Sequence, residues 1–209
     1  MTKIFRTFSI FLLVFAVLGG SAIGATTEGR TDLLPLGAAA PAFSLPDVTT
    51  GKKVSLDDFA GRKVLVVLFI CRHCPFVQHV KGALAALGKD YAGKSIAIVA
   101  ISANDPDAYA EDAPESLAEM AKEEGFNFPF LFDESQSTAK AYTAVATPDT
   151  FIFDQDRKLV YRGQLDSTRP GGPSSTAEDA RAAIDNLLAG KPVSPIQKPA
   201  VGCSIKWKK

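Results

Sequence analysis

The sequence predicts one α/β domain, a central mixed β-sheet flanked by helices, with a β-hairpin ahead of it. Three observations predict this. The runs KVLVVLFI (63–70) and SIAIVAIS (95–102) are continuously apolar and rich in Val, Ile and Leu, as in strands buried on both faces. Between them Val77, Val80, Leu84, Leu87 and Tyr91 recur at three- and four-residue spacing, the period of an amphipathic helix. Farther on, DTFIFD (149–154) and KLVYRG (158–163) flank the turn Gln155-Asp156, the pattern of an antiparallel hairpin.

The other elements fall into place around these. AFSLPD and KKVSL, separated by a turn at Thr50-Gly51, form the leading hairpin, and Leu56 to Ala60 suits one helical turn before Gly61. NDPDAY is a turn. Pro114 and Glu115 start a helix that Gly125 ends. FPFLFD (128–133) reads as a short strand, Ser135 to Thr143 as helical, 167–176 as a loop, and Ala177 to Ala189 as a last helix ended by Gly190. The tail from Lys191 has three prolines and no clear periodicity. The order is β-β, β-α-β-α-β-α, β-β-α, with no repeat and no dividing linker, so one mixed domain is expected. It should span 37–190, after a leader at 26–36, with the tail 191–209 packing on it.

Composition narrows the function. Hydrophobic residues are 46% and charged residues 22%, which is globular. A formal net charge of zero argues against nucleic acid or an anionic surface as partner. One Trp and four Tyr are too few for a base-stacking platform. Residues 1–25 stand apart. Lys3 and Arg6 precede FSIFLLVFAVLGG, and the small residues Ser21, Ala22, Gly24 and Ala25 follow, the layout of a secretory signal peptide. The alternative is an uncleaved membrane anchor, since 7–25 nearly reaches across a bilayer. Either way the domain is expected to be exported, to the periplasm or beyond, with membrane contact only through that segment.

Outside the cytoplasm thiols tend to be oxidised, and the chain has three cysteines, Cys71, Cys74 and Cys203. Cys71 and Cys74 form a CxxC pair between a buried strand and a helix. There the helix dipole and free N–H groups favour thiolate over thiol. Cys71 is expected nearest those groups as the attacking sulfur, with Cys74 resolving it, although the reverse assignment stays open. Arg72 and His73 would tune the pair by stabilising its thiolate. Cys203, in VGCSIKW, is either a third redox sulfur or a buried apolar residue. The rival chemistry is copper or zinc held by Cys71, Cys74, a histidine and Cys203, but the spacing offers no second CxxC. A static disulfide staple is the non-catalytic alternative. No cofactor is expected, because the electrons reside on sulfur.

Thr147-Pro148 stands immediately before the strand FIF. The order strand, CxxC, helix, strand, helix, Thr-Pro, hairpin resembles the thioredoxin fold. The opening GAAAPAFSLPD and GKKVSLDDFAGRKVLV resemble the alkyl hydroperoxide reductase/thiol-specific antioxidant branch. The motif CRHCPFV and the stretches YRGQLDSTRP (161–170) and QKPAVGCSIKWK (197–208) resemble thioredoxin-like proteins with a CNHCPFV-type motif. The resemblance covers about residues 37–208. It implies that Cys71 and Cys74 are a redox pair, that Pro148 is a cis-proline facing them, and that Thr147 offers its backbone to an extended partner. Thiol–disulfide exchange with protein substrates and a recycling partner is the implied activity. Peroxide reduction is the alternative, but the Pro-x-x-x-Thr/Ser-x-x-Cys pattern of peroxiredoxins is absent. Its slots hold Val64 and Leu68 counting back from Cys71, and Val67 and Cys71 from Cys74.

Overall fold

The structure is a computed structural model that describes Met1 and residues 33–209. The expected signal segment, 1–25, lies outside the described residues but for Met1, and so does most of the leader.

Strands β1 (Ser44–Pro46) and β2 (Lys53–Ser55) pair antiparallel, with Leu45 opposite Val54. Their turn is closed by the Asp47 carboxylate, which accepts the Thr49 N–H at 3.0 Å and the Thr49 and Thr50 hydroxyls at 2.9 Å. A 3-10 turn, Leu56–Phe59, leads into β3 (Val64–Phe69), whose six residues are all buried. Helix α1 (Pro75–Asp90) follows, then β4 (Ile96–Ser102), α2 (Pro114–Glu124) and β5 (Phe130–Phe132). The second half holds α3 (Ser137–Ala141), β6 (Ala146–Thr147), β7 (Asp149–Phe153), β8 (Leu159–Gly163) and α4 (Glu178–Leu188). It ends with β9 (Cys203–Ser204).

The main sheet has the order β5-β4-β3-β7-β8. β3, β4 and β5 are parallel, and β7 and β8 are antiparallel additions. β3 is therefore the middle strand, which is why its sequence is apolar without alternation. Val64, Val66, Leu68 and Ile70 pack with Leu84 and Leu87 of α1, Leu117 and Met120 of α2, and Ile184 of α4. Leu65, Val67 and Phe69 face the other way, toward Phe43, Tyr142, Phe151, Phe153 and Ile205. The Tyr142 ring meets Phe151 and Phe153 edge-on, with centroids 5.5 and 5.9 Å apart.

Two elements differ from the sequence expectation. The helix expected over 135–143 shortens to α3, because Gln136 and Thr143 at its flanks take left-handed backbone, φ 61° and 51°. The tail, which shows no period, contains β9 and buries Ile205. A two-residue strand has no period to display, and its partner β6 is distant in sequence.

Asp149, fully buried at the start of β7, places Oδ2 3.3 Å from the Arg162 guanidinium, while its Oδ1 has no partner. Burial pushes its pKa from 3.8 up to about 6, against the pull of Arg162. The folded state thus holds this proton more tightly than the unfolded chain does. Its contribution to stability falls as pH rises from about 4 to about 6, by roughly 1–3 kcal/mol. Denaturant unfolding across that interval should show the decline, and Asp149→Asn should flatten it. An unchanged pH profile in the variant would show that Asp149 does not carry the effect.

Candidate redox site at the strand-to-helix turn

The loop between β3 and α1 is short, and Pro75 fixes where it ends. Proline lacks an N–H and has a helix-compatible φ, so it starts the helix at its first position. Cys74 is therefore the N-cap, with extended backbone at φ −71° and ψ 121°. Its side chain makes no cap hydrogen bond, but it stands at the end of the helix that carries the free N–H groups of the first turn. This corrects the expectation that Cys71 lies nearest those groups. Cys71 sits a turn earlier, at the end of the strand side, and both sulfurs belong to fully buried residues.

Thr147 faces both cysteines. The Thr147-Pro148 bond is cis, and Thr147 is itself buried. Its hydroxyl lies 3.2 Å from the Cys71 sulfur, and its carbonyl accepts the Cys74 thiol at 3.1 Å. On its other side β6 pairs antiparallel with β9, so Thr147 stands opposite Cys203. The backbone edge that an extended partner would use is occupied by the chain's own tail.

The intervening residues are held by a group that the sequence reading did not single out. Asp112 is fully buried. Its Oδ1 accepts the backbone N–H groups of Arg72 at 2.7 Å and His73 at 3.1 Å. Its Oδ2 lies 2.5 Å from His73 Nδ1 and accepts Asn104 Nδ2 at 2.8 Å. The His73 ring also stacks on Tyr109, with centroids 4.0 Å apart. Asp112, Asn104 and Tyr109 all come from the loop after β4. A loop leaving the carboxyl end of the strand parallel to β3 must emerge beside the CxxC loop, and that was the available signal.

Arg72 does not face the sulfurs. Its guanidinium donates to the Ser116 carbonyl at 2.7 Å and to Glu119 at 2.6 Å, and pairs with Glu123 at 3.3 Å. Its charge is thus directed to α2 and balanced there, which corrects the expectation that it biases Cys71 directly. The Gln78 amide donates to the Arg72 carbonyl at 2.5 Å and closes the loop from the helix side. His79 points elsewhere, with Nε2 3.0 Å from the Thr168 hydroxyl.

The two sulfurs are electrostatically unequal. The Cys71 thiol is pushed far up by its hydrogen bond to Cys74, by burial and by the nearby Asp112 carboxylate. Cys74 is pulled well below the ordinary thiol range by that same hydrogen bond, helped by Cys203 and the Val77 N–H, against its own burial. The pair is thus biased to keep the proton on Cys71 and to place the charge on Cys74 when one sulfur ionises, whereas the neutral Cys74 thiol is the form that donates to the Thr147 carbonyl. Ligand atoms of Cys71, His73 and Asp112 lie within 4.8 Å of one another and could face one ion. His73 and Asp112 are, however, already in hydrogen-bond contact, and both Asp112 oxygens are taken.

Two outcomes follow from this geometry. The ultraviolet thiolate signal of the reduced protein should persist below about pH 7, vanish in Cys74→Ser, and titrate at higher pH in Cys71→Ser. A signal lost in Cys71→Ser but kept in Cys74→Ser would reverse the assignment. Asp112→Ala leaves two loop N–H groups and His73 without their acceptor. It should cost about 2–4 kcal/mol in denaturant unfolding and speed alkylation of Cys71.

Known proteins agree with this architecture. Residues 36–162 match the AhpC/TSA family. A solved structure of an uncharacterized conserved protein from Geobacillus kaustophilus is 51% identical, with a TM-score of 0.82, over 84% of this chain and 94% of that one. A hypothetical protein from Sinorhizobium meliloti 1021 is 46% identical, with a TM-score of 0.81, over 84% and 96%. The thiol-disulfide oxidoreductase ResA of Bacillus cereus is 23% identical over 77% of this chain and 90% of its own. With its mixed sheet, its flanking helices and the match over 36–162, the chain has a thioredoxin-like fold and belongs to the AhpC/TSA family.

Proposed function

We propose that this chain is an exported thiol–disulfide oxidoreductase that works through Cys71 and Cys74. An oxidoreductase role follows from its family and from relatives such as ResA. The single observation that carries the finer reading is the placement of the pair. Two buried sulfurs, one at a helix N-cap, both touch Thr147, next to cis-Pro148.

In this reading Cys74 is the exchanging sulfur. Its thiolate attacks a partner disulfide, one partner sulfur leaves, and a mixed disulfide forms. Cys71 then loses its proton and attacks Cys74, which releases the partner as a thiol and leaves the Cys71–Cys74 disulfide. The reverse sequence oxidises a partner dithiol. A strongly stabilised thiolate favours the reduced pair, so the disulfide is a good oxidant and leaves readily. Asp112 and His73 position the loop, and Arg72 ties it to α2. Partners are thiol or disulfide proteins, with a separate protein to reset the redox state. Export rests on the signal-like segment 1–25. Among the described residues no helix is long and apolar enough to cross a membrane.

The peroxidase alternative has one point in its favour, since the Cys71 thiol stands where peroxiredoxins place a hydroxyl three residues before the attacking cysteine. The proline of that pattern is absent, with Val67 in its place. Trapping separates the readings. Cys71→Ser combined with Cys203→Ser should accumulate mixed disulfides between Cys74 and proteins of the exported fraction, and the pair's potential in the wild-type protein should lie above about −200 mV. No trapped partner, together with rapid sulfenic acid formation at Cys74 by micromolar-scale peroxide, would favour the peroxidase.

A further inference from the structure

The tail carries a sulfur into the site in a way that the pair alone does not explain. β9 is hydrogen-bonded to β6, with Cys203 opposite Thr147 and Ser204 opposite Ala146. Gly202 makes this approach feasible, because a Cβ there would collide with the Thr147 carbonyl oxygen. The tail is anchored at both ends. Upstream, the Lys198 carbonyl accepts the Gln164 N–H at 3.0 Å, and a Cβ on Gly163 would strike that carbonyl. Downstream, Ile205 is buried, and Lys206 exchanges hydrogen bonds with Asp105 and Asn104 at 2.9 Å each. YRGQLDSTRP and QKPAVGCSIKWK thus contact each other, and the second delivers Cys203.

Exposure then separates the three sulfurs. Cys71 and Cys74 are each 0% exposed, whereas Cys203 is only partly buried. Cys203 stands opposite Thr147, whose carbonyl lies 3.1 Å from the Cys74 sulfur, and it packs against the cluster that holds Cys71 and Cys74. A partner protein reaches Cys203 first, and Cys203 occupies the place beside Cys74 that a partner's cysteine would take.

We propose that Cys203 is the outward sulfur of a three-cysteine relay, exchanging a disulfide with Cys74 and presenting it to partner thiols. The proposal rests on the redox-pair reading above, with the Cys71–Cys74 disulfide formed by exchange with a disulfide donor. The Cys203 thiolate attacks the Cys74 sulfur. The Cys74–Cys203 bond forms, the Cys71–Cys74 bond breaks, and Cys71 leaves and takes up a proton. A partner thiolate next attacks Cys203, and Cys74 departs as the thiolate. The partner's second thiolate displaces Cys203 from the mixed disulfide. The partner has lost two electrons and two protons, and Cys71 and Cys74 end reduced. The acid–base order of the site suits the release of Cys74, and the first step depends on Cys71 taking up a proton as it leaves. Burial and the neighbouring Cys74 raise the Cys203 thiol in the reduced protein, and oxidation of Cys74 removes one of those causes. Cys74, the most acidic of the three, is the best leaving group for the partner's attack.

Peptide mapping under non-reducing conditions tests the relay. Cys71→Ser, oxidised with oxidised glutathione, should yield a Cys74–Cys203 disulfide. Cys203→Ser should keep the Cys71–Cys74 disulfide and its reaction with dithiothreitol, yet oxidise a reduced, unfolded protein at least about tenfold more slowly. Cys203→Ala, which removes the sulfur without adding a hydroxyl, should match it. Glutathione on Cys74 with free Cys203 in the first variant, or wild-type rates toward protein in both others, would overturn the relay and leave the redox pair standing. A wild-type protein that forms no Cys71–Cys74 disulfide would remove the pair and the relay together.

Discussion

Thr147 is the residue on which the site converges. Its hydroxyl touches Cys71, its carbonyl accepts the Cys74 thiol, and its strand pairs with the one that carries Cys203. Each contact is possible because β7 runs antiparallel to β3, so the start of one lies beside the end of the other. Phe69, the last residue of β3, is opposite Asp149, two residues after Thr147. The central strand pair therefore sets the distance between the CxxC loop and the cis-proline turn. Because β3 is buried on both faces, a slip in that register would misplace its whole apolar set.

Around this contact the protein buries polar groups and satisfies nearly all of them. Asp112 illustrates the logic. A buried carboxylate is costly by itself, but four donors converge on it, and the arrangement stiffens the loop between the cysteines. The same carboxylate acts on Cys71 through its charge, keeping that thiol protonated while Cys74 ionises. One group thus fixes the geometry of the loop and adds to an asymmetry that the two sulfurs mainly impose on each other. Asp166 does comparable work for the loop before α4. Burial alone would raise it, but hydrogen bonds from Ser175, Thr168 and the Ala177 N–H hold it at about 2.

Much of this could be read from the chain. Apolar runs without alternation announce strands covered on two sides, and β3 and β4 have that character. The three- and four-residue recurrence Val77, Val80, Leu84, Leu87 and Tyr91 marks α1, and each of those residues is in the core. Gly125, with φ 67°, ends α2 where its position suggested. Even the place of Cys74 at the N-cap was available, because Pro75 directly after it is a helix-start signal that outweighs the general idea of a motif at a helix end. Arg72 was less legible. A loop charge beside a cysteine is a plausible tuner until the side chain is seen to run to Glu119 and Glu123.

The sequence alone determined the order of the strands and helices, the CxxC pair at a strand-to-helix turn, and the Thr-Pro step before the last hairpin. These are local features, encoded in periodicity, proline and glycine, and each is settled within a few neighbouring residues. Tertiary structure alone decided which groups meet: Asp112 beneath the loop, Arg72 on α2, and Cys203 across from Thr147. Those partners are distant along the chain and are joined by a few polar side-chain contacts or a two-residue strand, which leave no period to recognise. What brings them together is the packing of β3 between β4 and β7, a property of the whole sheet and of no single segment.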